Sequence, residues 1–585
     1  MTMRIDEKAG FPRPDFIREN YISFDDVWLF AFDDDGEIYR KIKKGEEYEL
    51  PLEIIVPFPY QSPASGINSQ EKHERVCYER NFNADFEDGE TALLHFGAVD
   101  HDAEVWLNGT FLGSHSGGYT PFCFDVSDIL KNGANKLTVY VTDEFRTDSV
   151  RGKQIWNGEP WGCHYSAVTG IWQEVWLEFT GADYITDVNF VTDFDAHFAI
   201  AEITFSRKLN GFISADISKN GENYMLLRQS VKGRTAKILI AFEDCGVKDK
   251  EAYTWSPAHP NLFDVTLSLE TENGTDTVET YFGMRKISTA GDKFYFNNSQ
   301  LYSRMVLDQG YWTEGIYRPA DDDGFREDVE WTLRLGFNAA RKHQKIEDPK
   351  YYYWADRLGL IVWGELPSFY GFTDYACADA ENTMREFIER DKNHPSIAAW
   401  VPFNESWGLR SLLADLRQAD VARELYYLCK RMDPSRLVST NDGWENVFPT
   451  DICGIHDYRS FDEKLSEYYS DTAFLNSDAA RTGHPYVVPG ESYSGQPVML
   501  TEFGGKRIKD SDGWGYDLPV ESVEKYIADI KSDVENILKT PSFCGYCYTQ
   551  LTDVYQETNG LLRMDRTPKA EPEAFAEIFK KNRIQ

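Results

Sequence analysis

The chain has 585 residues, which at the usual domain size corresponds to roughly three to five domains. Its formal net charge of −36 argues against nucleic acid or an anionic membrane surface as a partner. The nine cysteines follow no disulfide-framework spacing, the N-terminus shows no apolar signal segment, and no run approaches the length of a membrane span. We therefore expect a soluble protein of a reducing compartment, the cytoplasm.

Residues 1–181 contain short strand-like runs separated by turn signals, with no sustained helical period. The clearest turn signal is Asn108-Gly109, which lies between two strand-like segments and predicts a two-residue hairpin. This pattern is typical of an all-β sandwich.

Residues 182–285 continue the β pattern, with strand-like runs at 200–205 and 263–269, the second in clean apolar–polar alternation. We find no side chains there that suggest chemistry. The sequence predicts a second β domain that acts as a spacer between its neighbours.

From residue 286 to the end, the pattern changes to strands that alternate with amphipathic helices. Helices are predicted at 328–336 and 351–359, and strands at 337–341 and 360–365. Roughly 300 residues of repeated strand–helix units are typical of a (β/α)8 barrel, whose functional sites lie at the C-terminal ends of the strands.

Two glutamates, Glu405 and Glu502, each follow a short apolar run in this region. Because different barrel strands deliver their C-terminal residues to one face, we expect the two carboxylates to meet. Glu405 beside Trp400 and Trp407 is expected to keep a raised pKa and to donate a proton near neutral pH. Capping of the next helix by Glu405 is the alternative.

The segments around both glutamates resemble glycoside hydrolase family 2, which includes β-galactosidases, β-glucuronidases and β-mannosidases. The resemblance rests on Asn404-Glu405, on Thr-Glu-Phe-Gly-Gly at 501–505, and on segments of the earlier domains at 105–109, 117–122, 169–178, 255–257 and 282–286. It implies a jelly-roll β-sandwich over 1–181, an immunoglobulin-like β-sandwich over 182–285 and a catalytic (β/α)8 TIM barrel over 286–585.

The same resemblance implies roles for individual residues. Glu405 matches the family's acid/base, Glu502 its nucleophile, and Asn404 the residue that binds the sugar 2-hydroxyl. In family members, a loop of the first domain can reach the barrel, which makes Lys153 and Trp156 candidates for lining the pocket. A surface loop that packs on its own tryptophans is the alternative.

Other side chains at strand ends are further candidates for contacts with the sugar, and for each a buried structural hydrogen bond is the alternative. Arg341 is expected below the nucleophile, where its charge would hold Glu502 ionised. Tryptophans are expected to form a platform or a pocket wall. The polar candidates are Asp308, Arg341, His343, Glu365, His456, Tyr458 and Asp553, and the tryptophans are Trp363, Trp400 and Trp514.

Three departures from better-known family members bear on cofactor and substrate. His343 follows Arg341 by two positions instead of three, so the side chain that reaches the sugar stays open. The segment Glu365-Leu366-Pro367 lacks the Glu-x-His pattern that supplies magnesium ligands in the large β-galactosidases, so we predict no required metal and no other cofactor. Residues 557–562 lack the Asn-x-Lys signature of β-glucuronidases, which favours a neutral sugar.

The sequence therefore predicts an exo-acting retaining glycoside hydrolase that releases a terminal neutral sugar, β-galactoside-like, from a carbohydrate substrate. The alternatives within the family are a β-glucuronidase and a furanosidase, either a β-galactofuranosidase or an α-L-arabinofuranosidase. An inverting hydrolase is a further alternative. A non-catalytic carbohydrate-binding protein would have lost one carboxylate, whereas both are present. A homo-oligomer is compatible with the sequence.

Overall fold

The computed structural model describes residues 5–87, 89–242, 250–476, 483–509 and 512–582. Within these residues two β-sandwiches are followed by a parallel barrel, in the order that the sequence predicts. The predicted fold class is confirmed. No helix among the described residues is long and apolar enough to cross a membrane.

The first domain packs two antiparallel sheets around an aliphatic and aromatic core. The predicted hairpin is confirmed: Asn108 and Gly109 have φ angles of 52° and 79°, as a tight turn between two antiparallel strands requires. One sheet contains, in spatial order, Phe122–Asp125, Thr91–Phe96, Val175–Thr180 and Tyr21–Ser23. The other contains Leu52–Ile55, Val27–Phe32, Arg75–Ala84, Gly133–Thr142, Asp102–Leu107 and Thr110–Ser116.

Smaller elements complete this domain: the strand pair Val99–Asp100 and Gly170–Ile171, the helices Ile5–Ala9 and Glu37–Lys44, and the 3-10 turn Pro63–Ser65.

The second domain is a sandwich whose strands alternate buried and exposed residues. Its sheet contains Phe16–Ile17, Gly274–Phe282, Phe263–Thr271, Phe198–Lys219 and Ile185–Asp193, with Glu222–Ala241 paired to Phe198–Lys219 and a helical turn at Lys250–Tyr253.

The third domain begins with a small antiparallel sheet, Ile287–Ala290, Lys293–Phe296 and Ser299–Gln300, and continues as a parallel barrel. The barrel strand Ile397–Val401, for example, is a continuous apolar run because both of its faces are covered. In spatial order the strands are Leu437–Val438, Ile397–Val401, Ile361–Glu365, Ala339–Lys342, Ser303–Asp308, Phe543–Thr549, Val498–Gly504 and Cys453–His456. A short parallel pair, Phe403–Asn404 with Asn441–Asp442, extends one rim.

Helices surround this barrel, and their ends carry the expected capping residues. The helix Pro349–Leu358, for example, has Asp348 as its N-cap, proline in its first turn and Gly359 in the left-handed region at its end. The helices are Asp323–Arg334, Pro349–Leu358, Asp374–Asp391, Leu416–Met432, Glu463–Tyr468, Val523–Lys539 and Pro572–Phe579, with a 3-10 turn at Ala473–Asn476.

A buried arginine near the N-terminus joins the two sandwiches. Arg18 donates from Nη1 to Glu178 of the first domain at 2.6 Å and from Nε to Asp276 of the second at 3.0 Å. All three side chains are at most 8% exposed, so the ion pairs are shielded from solvent. The contact fixes the spacer domain against the jelly roll.

We expect Arg18→Met to destabilise the protein by about 3–5 kcal/mol, because Glu178 and Asp276 would keep their charges without a partner. The measurement is a chemical or thermal unfolding curve. Arg40→Met is the control, since Arg40 is 60% exposed and lies 3.7 Å from Glu37, and it should change stability by less than about 0.5 kcal/mol. Equal curves for both variants would contradict the role given to Arg18.

Candidate active site

Glu405 lies directly after the short strand Phe403–Asn404, at the C-terminal rim of the barrel. Its amide donates to the carbonyl of Asp442 at 2.8 Å. Glu405 and Ser406 have φ angles of 52° and 55°, in the left-handed region that residues other than glycine seldom adopt. Asp415, and not Glu405, caps the next helix. Such strain is kept where the surroundings hold a residue in place for function.

Glu502 lies in the barrel strand Val498–Gly504 and is 3% exposed. Its Oε1 lies 3.1 Å from Nη1 of Arg341, and its Oε2 accepts a hydrogen bond from the hydroxyl of Tyr458. The ring of Tyr458 stacks on Tyr516 with centroids 3.5 Å apart. Glu502 is therefore held by a cation and a hydroxyl that two other segments of the barrel supply.

Arg341 is fully buried and contacts several acceptors at once. Its Nε donates to Glu365 at 2.7 Å, its Nη2 donates to the amide oxygen of Asn404 at 2.6 Å, and its Nη1 lies 2.8 Å from a carboxylate oxygen of Asp442. The planar guanidinium thereby fixes residues that four separate segments of the barrel supply. Arg341 also contacts Glu502, as expected from the sequence.

His456 lies between the two glutamates. Its Nδ1 is 2.7 Å from Glu405 Oε1 and 3.5 Å from Glu502 Oε2, and its Nε2 is 3.1 Å from Asp442 Oδ2. Burial lowers the pKa of this imidazole, but the charge of Glu502 and the contacts with Asp442 and Glu405 outweigh burial and raise the pKa to about 10. Gly443 makes room for the ring, because a Cβ there would lie 2.6 Å from Nδ1.

The pKa shifts of the two glutamates are opposite to those expected from the sequence, which were a raised pKa for Glu405 and a Glu502 held ionised by Arg341. The Glu405 side chain is 15% exposed and that of Glu502 is 5% exposed, so Glu405 is the more solvent-exposed of the two carboxyl groups. Burial raises the pKa of Glu405, but the hydrogen bond and charge of His456 outweigh it and lower that pKa overall. Burial and the charge of Glu405 raise the pKa of Glu502, despite His456 and Arg341. No local feature of the sequence indicates that His456 contacts Glu405.

Glu405, His456 and Glu502 each offer one ligand atom, and these atoms lie within 4.8 Å of one another. That spacing suits a divalent metal, but a metal ligand must be a neutral imidazole. Because the raised pKa keeps His456 protonated and both of its nitrogens face carboxylates, the cluster suits proton transfer better than metal binding.

The loop of the first domain reaches the barrel. Tyr165 donates to Glu557, and the indole of Trp514 donates to the carbonyl of Gly162 at 3.0 Å. Lys153 is 5% exposed, and its Nζ lies 5.8 Å from the ring centre of Trp407. The loop therefore forms one side of the site.

Aromatic rings from both domains meet beside this loop. Trp156 packs against Tyr370 of the barrel with centroids 4.5 Å apart, and Tyr370 in turn lies 5.7 Å from Trp407. His164 stacks on Trp407 at 5.7 Å with an interplanar angle of 13°. Trp156 thus contributes to an aromatic wall shared by the loop and the barrel.

Several side chains that were predicted to contact the sugar form ion pairs within the protein instead. Asp308 is 2.8 Å from Lys342, and Asp553 is 2.6 Å from Lys569. Glu365 is bound to Arg341. These three carboxylates therefore have structural ion pairs, the alternative that the sequence left open for each.

His343 is buried and near the cluster. Its Nδ1 lies 2.9 Å from Glu365, and burial together with the charges of Lys153 and Arg341 lowers its pKa well below the usual range. The lowered pKa favours the neutral form of this imidazole. Trp514 lies edge-on to Tyr516 with centroids 5.3 Å apart, next to the ring that stacks on Tyr458.

Two tryptophans predicted as a platform or pocket wall are excluded from that role. Trp363 and Trp400 are both 0% exposed and offer no surface to a sugar. Trp400 packs edge-on against Phe387 of a surrounding helix and donates to Asp433 at 3.1 Å. Alternation along the strand turns its ring away from the barrel axis and into the helix layer.

The sequence analysis missed three residues of the site: Asp442, Tyr516 and Glu557. Asp442 lies in the short strand Asn441–Asp442, a few residues after the apolar strand Leu437–Val438, so a strand-end carboxylate could also have been sought there. Tyr516 and Glu557 lie in irregular segments after the barrel strands, where no periodic pattern indicates their position.

Glycoside hydrolases cleave the glycosidic bond with a pair of carboxyl groups, and the C-terminal rim of this barrel holds such a pair in Glu405 and Glu502. Models of three family 2 domains match the chain: the sugar binding domain at residues 38–179, the central domain at 183–285 and the TIM barrel domain at 289–581. The chain belongs to glycoside hydrolase family 2.

Curated relatives with different names are similar to this chain. A β-galactosidase of Thermoanaerobacter pseudethanolicus is 28% identical over 90% of the chain and 67% of its own length. A putative β-glucuronidase of Formosa agariphila is 24% identical over 81% of the chain and 57% of its own length. The chain thus spans about two thirds or less of these relatives.

Solved structures share the whole fold at low identity. The β-glucuronidase of Bifidobacterium dentium is 22% identical with a TM-score of 0.76, covering 96% of this chain and 97% of that one. A β-galacturonidase of Eisenbergiella tayi is 19% identical with a TM-score of 0.73, covering 98% of each chain. At this identity the likeness shows the fold alone.

The raised pKa of His456 predicts a pH-dependent stability. Its pKa is about 10 in the folded chain against 6.5 ordinarily, so the stabilisation is fully present below pH 6.5 and is lost as the pH rises through 10. We expect the melting temperature of the wild type to fall more steeply between pH 7 and 10 than that of His456→Gln. His259→Gln, at an exposed position, is the control and should follow the wild type. Parallel slopes for the wild type and His456→Gln would contradict a charged His456.

Proposed function

We propose that the protein is an exo-acting retaining glycosidase that works by double displacement. The observation that carries the proposal is the approach of Glu405 and Glu502, whose nearest ligand oxygens lie within 4.8 Å. Retaining enzymes place their carboxyl groups about 5–5.5 Å apart, whereas inverting enzymes need about 6.5–9.5 Å to admit a water.

In the proposed reaction Glu502 attacks the anomeric carbon and forms a glycosyl-enzyme, while Glu405 protonates the leaving oxygen. Glu405 then takes a proton from a water that attacks the anomeric carbon and displaces Glu502, which releases the sugar with retained configuration. Asn404 is suited to the sugar 2-hydroxyl, because Arg341 fixes its amide oxygen and its Nδ2 donates to no other described residue. The Tyr458 hydroxyl and the Arg341 guanidinium hold Glu502 in position.

The lowered pKa of Glu405 is compatible with its role as the acid because His456 can supply the proton. The Nδ1 atom of His456, which carries a proton in the imidazolium, lies 2.7 Å from Oε1 of the carboxylate that must donate one. When a leaving oxygen docks against Glu405, that proton can pass from His456 to Glu405 and on to the oxygen. The acid is therefore proposed to be the Glu405–His456 pair.

For the sugar, we propose a terminal neutral glycon, β-galactoside-like. The segment at residues 557–562 carries Glu557, which pairs with Tyr165, and Asn559, which pairs with Gln550 at 2.7 Å, and it carries no cation. The relative from Thermoanaerobacter pseudethanolicus is named a β-galactosidase. The first-domain loop supports exo-cleavage, because it packs against the barrel and forms one side of the site.

We also propose a cytoplasmic location. The cysteines of the described residues are free thiols, which supports a reducing compartment. This proposal is independent of the reaction.

The stereochemistry of the product tests double displacement. We expect proton NMR of a reaction with a 4-nitrophenyl β-glycoside to show the β-anomer first, followed by mutarotation. The physical reason is that two inversions at one carbon restore the configuration. Initial appearance of the α-anomer would show a single displacement and would overturn the proposed mechanism.

Azide rescue separates the two glutamates by role. We expect Glu502→Ala to lose more than about 10³-fold in kcat on every glycoside, since no glycosyl-enzyme can form. Glu405→Ala should keep its first step with an activated aryl leaving group and should regain turnover with azide, which needs no general base. The products distinguish the roles: a β-glycosyl azide of retained configuration at position 405 and an inverted azide at position 502. The reverse pattern would exchange the two assignments.

A further inference from the structure

Lys153 belongs to the first domain, and it lies between a residue of its own loop, Tyr165, and a residue of the barrel, Trp407. The loop that carries it is anchored on both sides, because the amide of Gly152 donates to the carbonyl of Ser368 at 2.9 Å and the amide of Tyr165 donates to the carbonyl of Lys153 at 3.1 Å. The side chain is 5% exposed. Its ammonium therefore has a fixed position in the wall of the cleft.

Lys153 differs from the other buried lysines of the described residues in having no carboxylate within 4.0 Å of its ammonium. Each of the others has at least one such partner. These pairs are Lys8 with Glu279, Lys342 with Asp308, Lys345 with Glu347, Lys350 with Glu174, Lys506 with Asp533 and Lys569 with Asp553.

The neighbours of the Lys153 ammonium are aromatic. The ring centres of Tyr165 and Trp407 each lie 5.8 Å away. Such contacts stabilise a cation by roughly 0.5–2 kcal/mol, which is less than the several kcal/mol that removing a charge from water costs. A buried ammonium without an acidic partner is a site that an anion would complete.

Lys153 lies on the side of the site where Glu405 is proposed to protonate the scissile bond. Trp407 follows Glu405 by two residues, and the charge of Lys153 contributes to the lowered pKa values of both Glu405 and His343. Glu405 contacts the glycosidic oxygen in the proposed reaction. The sugar and the leaving group meet at that oxygen, so the ammonium lies near the junction of the two.

We propose that Lys153 binds a carboxylate of the substrate beside the scissile bond, and that the preferred substrate is therefore an acidic glycoside. The inference rests on the proposed glycosidase function and narrows its substrate class. The carboxylate belongs either to a uronic acid glycon or to the leaving group. With the neutral glycon proposed above, it belongs to the leaving group.

Four aryl glycosides distinguish these sources. 4-Nitrophenyl β-galactoside is neutral, 4-nitrophenyl β-glucuronide and β-galacturonide have an acidic glycon, and the β-galactoside of 3-carboxyumbelliferone has an acidic leaving group. The enzymes compared are the wild type, Lys153→Met and Lys153→Arg. Lys44→Met, at a position that is 57% exposed on a helix of the first domain, is the matched control.

We expect Lys153→Met to lose about 10- to 100-fold more kcat/KM on the acidic substrate than on the neutral galactoside, mainly through KM, because a charge-assisted hydrogen bond is lost. Lys153→Arg should regain most of this difference, since it keeps the charge, and Lys44→Met should match the wild type. Loss on the uronides assigns the carboxylate to the glycon, and loss on the carboxyumbelliferyl galactoside assigns it to the leaving group.

An equal loss by Lys153→Met on neutral and acidic substrates would overturn this inference, because it would show a structural or pKa-tuning role alone. A wild type that hydrolyses only neutral glycosides would overturn it as well. Both results would leave the proposed glycosidase intact. A wild type that hydrolyses none of the four, although thermal unfolding shows that it is folded, would instead count against the proposed function.

Discussion

The buried guanidinium of Arg341 is the interaction on which the site depends. It contacts Glu365, Asn404, Asp442 and Glu502, which come from four segments of the barrel. A buried ion pair adds little net stability, because desolvation costs about as much as attraction returns, but removing one partner leaves charges unpaired. The cluster therefore acts less as a source of stability than as a constraint on how the strand ends are positioned.

The charges around Arg341 do not balance, and the imbalance bears on catalysis. Arg341 and His456 are cations that share Asp442, and their facing nitrogens are 3.4 Å apart. Against them stand four carboxylates, counting Glu365, Asp442 and the two glutamates of the proposed reaction. The excess of negative charge favours an additional proton on the glutamate pair, and a retaining enzyme needs one such proton when its reaction begins.

The three-domain architecture and the two glutamates could be predicted from the sequence because each has a local signature. Strand–helix alternation marks the barrel, Asn108-Gly109 marks a hairpin, and strand-end carboxylates follow apolar runs. The features that could not be predicted depend on contacts between residues that are far apart in the sequence. Whether Trp400 faces the cleft depends on a helix that packs behind it, and the partner of Glu405 depends on a strand about 50 residues later in the chain.

The pKa directions illustrate the same limit. Aromatic neighbours in the sequence suggested a dry setting for Glu405, whereas His456 provides a charged one. Lys153 could be named as a candidate from its loop, but its lack of an acidic partner required the packing of two domains. Local sequence patterns thus predict which residues lie at the C-terminal rim of the barrel, whereas tertiary contacts determine the charge that each residue carries.

The contact between Tyr165 and Glu557 spans 392 positions of the chain, so the cleft joins an early segment to a late one. At about 5–20 residues per second, a ribosome needs about 20–80 s to make the intervening segment. During that time the jelly roll can fold, while its loop has no barrel to pack against and the Lys153 ammonium remains in water. The site is thus a late product of translation, and the nascent chain has no working cleft until its last segment emerges.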